Sequence, residues 1–157
     1  MDTLNDIKWG GSGIERVVFE WILNNIQEGS EVIEIGAGYC STNAFRLHYR
    51  TTSIEHNDTY IGLFDGVNYI KAELTDTWYD RESIKAKLPK KNKQALIFID
   101  GTKRDGILDN LDLFNKKAKY LIHDTYRDGE IALAHKLADK LKRKVTFYTD
   151  GDYWAVI

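Results

Sequence analysis

Short β-rich runs alternate with longer helical patterns along this chain, and few folds accommodate such an alternation. Two of the runs, EVIEI and ALIFI, are almost continuously apolar, which is typical of parallel strands covered on both faces. Strands that follow one another through helices form a parallel sheet with right-handed crossovers. The predicted strands are Glu31–Ile35, Thr51–Glu55, Val67–Lys71, Ala95–Ile99 and Tyr120–His123.

Three stretches outside these strands carry apolar residues at helical spacing. Residues 12–26 have one apolar stripe, and Ser12 with Glu15 has the spacing of a capping box. Residues 107–114 and 130–143 show the same periodicity. We therefore predict helices in all three stretches.

The C-terminal segment KVTFYTDGDYWAVI breaks the alternation, because two β-branched and aromatic runs meet at Asp150 and Gly151. Such a junction predicts an antiparallel hairpin. The complete pattern predicts an α/β, Rossmann-like fold. Its sheet is seven-stranded and mostly parallel, with a C-terminal antiparallel hairpin and helices on both faces.

Composition limits the partners that we expect. A length of 157 residues with 43% hydrophobic and 29% charged residues predicts one soluble domain, residues 1–157. A formal net charge of −2 gives no reason to expect nucleic acid as a substrate. The single cysteine and the lack of a long apolar stretch predict a cytoplasmic protein with no membrane segment.

The stretch EVIEIGAGYCST places Gly36 and Gly38 directly after the first predicted strand. Glycines at such a junction let the backbone turn sharply and let a ligand approach main-chain N–H groups. Glu55 lies 19 positions after Gly36, close to the spacing of a carboxylate that binds ribose hydroxyls. Together these residues predict a cofactor-binding site.

Over nearly its whole length the chain resembles a minimal class I S-adenosylmethionine-dependent methyltransferase. EIGAGYCS resembles the first motif of that superfamily, and TTSIEHN resembles its second strand, which ends in an acidic residue. ALIFIDGTKRDGILDNLDLF followed by YLIHDTYRD resembles the branch with F-I-D-G after the fourth strand and His-Asp after the fifth. The chain departs from this pattern at Thr102 and Lys103, where the branch commonly has Asp-His, and at Cys40, which replaces a glycine.

The resemblance implies that S-adenosylmethionine binds where the first two strands end. It implies that the glycine turn faces the methionine and ribose portions, that Glu34 supports that turn or accepts from the amino group of the cofactor, and that Glu55 binds the ribose hydroxyls. Residues after the third strand would flank the adenine. The implied cofactor-binding residues are Glu34, Gly36, Ala37, Gly38, Ser41, Glu55, His56, Ala72, Glu73 and Asp100.

The predicted catalytic residues are Asp100, His123 and Asp124, which end neighbouring strands at the same edge of the sheet. Methyl transfer requires the acceptor atom about 3 Å from the methyl carbon, so much of the catalysis is positioning. A hydroxyl acceptor must also lose its proton, for which Asp100 or His123 is the predicted general base. In a variant of this mechanism, Asp100 and Asp124 hold a Mg²⁺ ion.

The sequence also allows purely structural roles for these three residues. Aspartates such as Asp100 and Asp124 often cap turns, and a histidine such as His123 can simply be hydrogen-bonded to a neighbouring strand. The predicted function is methyl transfer to a hydroxyl of a small molecule or sugar. The alternatives are a non-catalytic cofactor-binding subunit completed by a partner chain, and an NAD-dependent oxidoreductase. Because so little chain is left to build a pocket, assembly with a second copy is one way to complete it.

Overall fold

The computed structural model describes residues 3–10 and 14–157, and within these ranges no helix is long and apolar enough to cross a membrane. Every predicted strand is present and starts within one residue of its predicted start. The strands are β1 (Glu31–Ile35), β2 (Arg50–Glu55), β3 (Val67–Lys71), β4 (Gln94–Ile99), β5 (Lys119–His123), β6 (Thr146–Tyr148) and β7 (Trp154–Val156). The α-helices are α1 (Arg16–Asn25), α2 (Ser41–His48), α3 (Arg81–Lys87) and α4 (Asp128–Leu141).

The seven strands form one sheet in the order β3-β2-β1-β4-β5-β7-β6. The first five strands are parallel, and β7 pairs antiparallel with both β5 and β6, so the predicted fold class is confirmed. The chain leaves β1 toward β2 on one side and later returns to β4 on the other. This change of direction opens a crevice at the carboxyl ends of β1 and β4, where open α/β sheets bind ligands.

Alternate residues of the central strands supply two separate hydrophobic cores. Ile33 and Ile97 point into the core beneath α3 and α4, whereas Val32 and Leu96 point into the core beneath α1 and α2. Both faces of the sheet are therefore covered. This explains why ALIFI is apolar throughout and why EVIEI has apolar residues at Val32, Ile33 and Ile35.

The helix prediction for residues 107–114 is wrong. That region forms two short 3-10 helices, Arg104–Asp109 and Leu111–Leu113, separated by Asn110. The side chain of Asn110 donates to the Gly106 carbonyl (2.8 Å). This side-chain hydrogen bond replaces the main-chain hydrogen bond that a continuous α-helix would give that carbonyl. For residues 12–26, α1 begins at Arg16, and Ser12 of the predicted capping box lies outside the described residues.

Candidate active site

A cleft of about 440 Å³ opens where β1, β2, β4 and β5 end. It lies at the crevice predicted from the strand order, and residues from all four strand ends reach it. Of the residues predicted from the sequence, its lining contains Gly36, Ala37, Gly38, Glu55, His56, Asp100, His123 and Asp124.

Two glycines form the closest contact in the floor of the cleft. Gly36 has a φ of +94°, and a Cβ placed there would lie 2.4 Å from the Gly101 Cα atom. The Gly36 N–H donates to the Ile54 carbonyl (2.9 Å), and the Asp100 N–H donates to the Ile35 carbonyl (3.0 Å). The turns after β1 and β4 are thus fastened together. Gly36 is therefore required by this packing.

Glu55, the last residue of β2, holds the rim of the cleft through main-chain hydrogen bonds. Its Oε2 accepts from the Ala37 N–H (3.0 Å), and its Oε1 accepts from the N–H groups of His56 and Asn57 (2.8 Å each). Within the described part of the chain Oε2 has only that one donor, so one of its lone pairs is left for a ligand hydroxyl. Glu55 therefore has the position and the spare acceptor needed to bind a ribose.

Glu34 lies beneath the glycine turn and is fully buried. Its carboxyl group accepts hydrogen bonds from the hydroxyls of Ser41 (2.5 Å), Thr42 (2.7 Å) and Ser53 (2.5 Å). Burial raises the pKa of Glu34 to about 7 although the three hydroxyl donors act in the opposite direction. Neither Glu34 nor Ser41 lines the cleft, and the pair supports the turn from below.

The raised pKa of Glu34 predicts that the protein loses stability as the pH rises. Because its pKa is raised from 4.5 to about 7 on folding, the folded state holds this proton more tightly than the unfolded state. The resulting stabilisation is present below pH 4.5 and is lost as the pH rises through 7, by about 3 kcal/mol in total. We expect Glu34→Gln, which does not titrate, to remove this part of the pH dependence in urea unfolding between pH 4.5 and 8. Identical pH profiles for the two proteins would contradict the assignment.

Two predicted adenine-side residues lie outside the lining of the cleft. Ala72 is buried, and its N–H donates to the Glu55 carbonyl (3.0 Å). The Glu73 side chain is exposed and lies 3.6 Å from the Lys71 ammonium group. In the structure Ala72 thus fixes β3 against β2, and Glu73 contacts Lys71.

The three predicted catalytic residues converge at the ends of β4 and β5. The His123 Nδ1 atom lies 3.2 Å from Asp100 Oδ1 and 3.3 Å from Asp124 Oδ1. Its Nε2 atom lies 2.6 Å from Oδ2 of Asp152, which comes from the turn of the C-terminal hairpin. Both ring nitrogens of His123 therefore face carboxylates.

His123 is a poor candidate for the general base. Burial alone lowers its pKa, but the hydrogen bonds and charges of Asp100 and Asp152 outweigh this effect and raise the pKa to about 9. The ring is therefore an imidazolium at neutral pH and has no nitrogen free to accept a proton. Of the two bases predicted from the sequence, the geometry favours Asp100.

Arg104 links the two strand-end carboxylates and was not predicted as a site residue. Its Nη2 atom donates to Asp100 Oδ1 (2.9 Å) and to Asp124 Oδ2 (2.8 Å). Burial raises the pKa of Asp124, but the hydrogen bond from Arg104 and the nearby positive charges outweigh it and lower the pKa overall. Asp124 itself has a φ of +60°, an unusual conformation for a residue other than glycine.

Two pairs of tyrosines each contribute one ring, Tyr60 or Tyr126, to the lining of the cleft. Tyr39 and Tyr60 are in edge contact near Glu55, with ring centroids 5.5 Å apart. Tyr126 and Tyr153 are in edge contact beside Asp124, with centroids 5.9 Å apart. Tyr39, Tyr126 and Tyr153 are each about half exposed, which leaves aromatic surface available to a ligand.

The comparisons with known proteins are structural, because no protein-family model and no curated protein matches this sequence. The precorrin-6y C5,15-methyltransferase of Geobacter metallireducens superposes with a TM-score of 0.66 at 15% identity, covering 97% of this chain and 92% of that one. The precorrin 8W decarboxylase of Methanobacterium thermoautotrophicum gives 0.65 at 14% identity, covering 99% and 97%. The chain has the class I methyltransferase fold. A third match, the MycE methyltransferase of the mycinamycin pathway in complex with Mg, SAH and mycinamycin VI, gives 0.59 at 13% identity, covering 89% of this chain and 48% of that one.

The methyltransferase fold brings the glycine turn and Glu55 to the same wall of the cleft, and a further buried group lies beside them. The hydroxyl of Tyr79 is buried and, in residues 3–10 and 14–157, has no hydrogen-bond partner of acceptable geometry. It lies 2.4 Å from the position that a Cβ on Gly101 would take. A side chain at position 101 would collide with this hydroxyl, so the packing requires glycine there.

Proposed function

We propose that the chain transfers a methyl group from S-adenosylmethionine to a hydroxyl group of a small molecule or sugar. One observation carries the proposal. The same cleft is lined by Gly36–Gly38 and Glu55, a first wall suited to an adenosyl group, and by Asp100 and Asp124, a second wall that carries carboxylates. Methyl transfer to a hydroxyl needs both walls, one to bind the cofactor and one to remove a proton.

The first wall would hold the adenosyl portion. The spare lone pair on Glu55 Oε2 would accept from a ribose hydroxyl, and the N–H of Gly38 is already committed to the Thr42 hydroxyl (2.9 Å). His56 and Asn57 continue the lining on the same side, and the His56 Nδ1 atom lies 2.8 Å from Glu55 Oε1.

The second wall would accept the proton that the acceptor hydroxyl loses. When bound, S-adenosylmethionine supplies a methyl group on a sulfonium; on transfer the acceptor oxygen forms a C–O bond, the C–S electron pair stays on sulfur, and one proton is released. Asp100 Oδ1 is occupied by Arg104 and His123, whereas Oδ2 has no hydrogen bond within the described residues. Oδ2 is therefore the atom that we assign to take the proton.

The acceptor would lie beside Asp124. Tyr126 lines the cleft there, in contact with Tyr153, and the Arg127 guanidinium lies 5.1 Å from the centroid of the Tyr126 ring. Aromatic faces stack on the flat apolar surfaces of rings, including those of sugars, and a partly exposed arginine adds hydrogen-bond donors. These properties support a small cyclic acceptor.

The proposal is tested by incubating the purified chain with S-adenosylmethionine and a panel of hydroxyl-bearing small molecules and sugars. We expect formation of S-adenosylhomocysteine that depends on one or a few related acceptors. Cofactor binding without turnover of any acceptor would favour the alternative, a cofactor-binding subunit completed by a partner. Binding of NAD in place of S-adenosylmethionine would favour an oxidoreductase and exclude the proposal.

A further inference from the structure

The ends of β4 and β5 carry a set of side chains with the composition of a metal site. Ligand atoms of Asp100, His123 and Asp124 all lie within 4.8 Å of one another. Carboxylate oxygens are the ligands that Mg²⁺ prefers, and in the variant mechanism Asp100 and Asp124 hold a Mg²⁺ ion. The structure allows a direct test of whether these two carboxylates are free to bind an ion.

A guanidinium already bridges the two carboxylates. The Arg104 Nη2 atom donates to Asp100 Oδ1 at 2.9 Å and to Asp124 Oδ2 at 2.8 Å, so one nitrogen contacts both groups. The residues present therefore do not fit a divalent cation between Asp100 and Asp124, because an ion bridging the same oxygens would meet a positive charge at close range.

Arg104 is held in this position by the main chain. Its Nε atom donates to the Gly101 carbonyl (2.8 Å), and its Nη1 atom donates to the His123 carbonyl (2.7 Å). The side chain is only 10% exposed. Moving it aside would leave buried carbonyl groups without a donor, which is costly.

We propose that the Arg104 guanidinium takes the place of a divalent cation between Asp100 and Asp124, so that the site works without a metal ion. Arg104 is then a positioning residue that fixes both carboxylates and leaves Asp100 Oδ2 available. This last role rests on the proposed methyl transfer, whereas the exclusion of the metal does not. A planar guanidinium suits the bridge because its donors diverge in fixed directions.

The test measures Mn²⁺ binding to the full chain by electron paramagnetic resonance, with no cofactor or acceptor present. We expect no detectable bound ion in the wild type and one bound ion in Arg104→Ala. The affinity of Arg104→Ala for Mn²⁺ should be at least about tenfold higher than that of the wild type. The double variant Arg104→Ala/Asp124→Asn should lose that ion, which would place it between the carboxylates. Arg81→Ala is the matched control, since Arg81 pairs with Asp112 on the surface away from the cleft.

Three outcomes would overturn the proposal. One is stoichiometric Mn²⁺ binding by the wild type that Asp124→Asn abolishes, and another is loss of wild-type turnover on adding EDTA. The third is a folded Arg104→Ala chain that binds no ion. If Arg104→Ala does not fold, Arg104→Gln replaces it, because glutamine removes the charge while keeping hydrogen-bond donors. Since the binding assay uses the metal alone, its result is independent of whether S-adenosylmethionine binds.

Discussion

Asp100→Asn is expected to lower kcat for methyl transfer by about 100- to 10,000-fold, the usual contribution of a general base. Asparagine keeps the size of the side chain and can still accept a hydrogen bond from Arg104, but its amide cannot take up a proton. The effect should appear in single-turnover experiments at saturating S-adenosylmethionine. It should exceed any change in cofactor affinity.

Asp109→Asn provides the matched control for this prediction. Asp109 lies in the same connection between β4 and β5, its side chain is 87% exposed, and its recorded ionic contact is Lys140 at 3.8 Å. The control should retain the wild-type rate. A wild-type rate in Asp100→Asn would place the general base elsewhere, and Asp124 would be the next carboxylate to replace.

Gly36→Ala is expected to reduce the free energy of unfolding by about 3 kcal/mol or more. Two costs combine at this position. An alanine at a φ of +94° is strained, and its Cβ would lie 2.4 Å from the Gly101 Cα and 2.5 Å from the Gly101 nitrogen. Both obstructing atoms belong to the backbone, so the turns after β1 and β4 would have to separate.

Gly66→Ala isolates the first of these costs. Gly66 has a φ of +80°, but a Cβ there would meet nothing within 4 Å. Its replacement should cost only about 1 kcal/mol. Urea unfolding of the three proteins measures the difference directly. Equal losses in the two variants would show that the contact between Gly36 and Gly101 does not constrain the fold.

Much of the fold is predictable from local patterns in the sequence. The strands EVIEI and ALIFI are recognisable because burial on both faces favours runs of apolar residues, which ALIFI has throughout and EVIEI has at three of five positions. The hairpin follows from the turn chemistry of Asp150 and Gly151, and Gly151 indeed has a φ of +73°. The 3-10 segments at 104–113 were missed because apolar spacing alone does not distinguish an α-helix from shorter helical turns.

The candidate site is less predictable, because its contacts join residues far apart in the chain. Strand-end residues such as Asp100 and Asp124 could be grouped, since parallel strands end at one edge of the sheet. Arg104 begins the short 3-10 helix Arg104–Asp109 and has no distinguishing sequence signal. Asp152 reaches His123 only because β7 pairs with β5, placing Trp154 opposite His123. Glu34 looks like a cofactor ligand in the motif, but its burial with three hydroxyl donors becomes visible only in three dimensions.

Calorimetric titration of the wild type and Glu55→Gln with S-adenosylmethionine, S-adenosylhomocysteine and NAD tests most directly whether the cleft binds an adenosyl sulfonium. We expect one molecule of S-adenosylmethionine or S-adenosylhomocysteine per chain, no binding of NAD, and affinity at least about tenfold weaker in Glu55→Gln. Glu82→Gln, an exposed position on α3, should bind like the wild type. Binding of NAD without S-adenosylmethionine, or unchanged cofactor affinity in Glu55→Gln, would contradict the account.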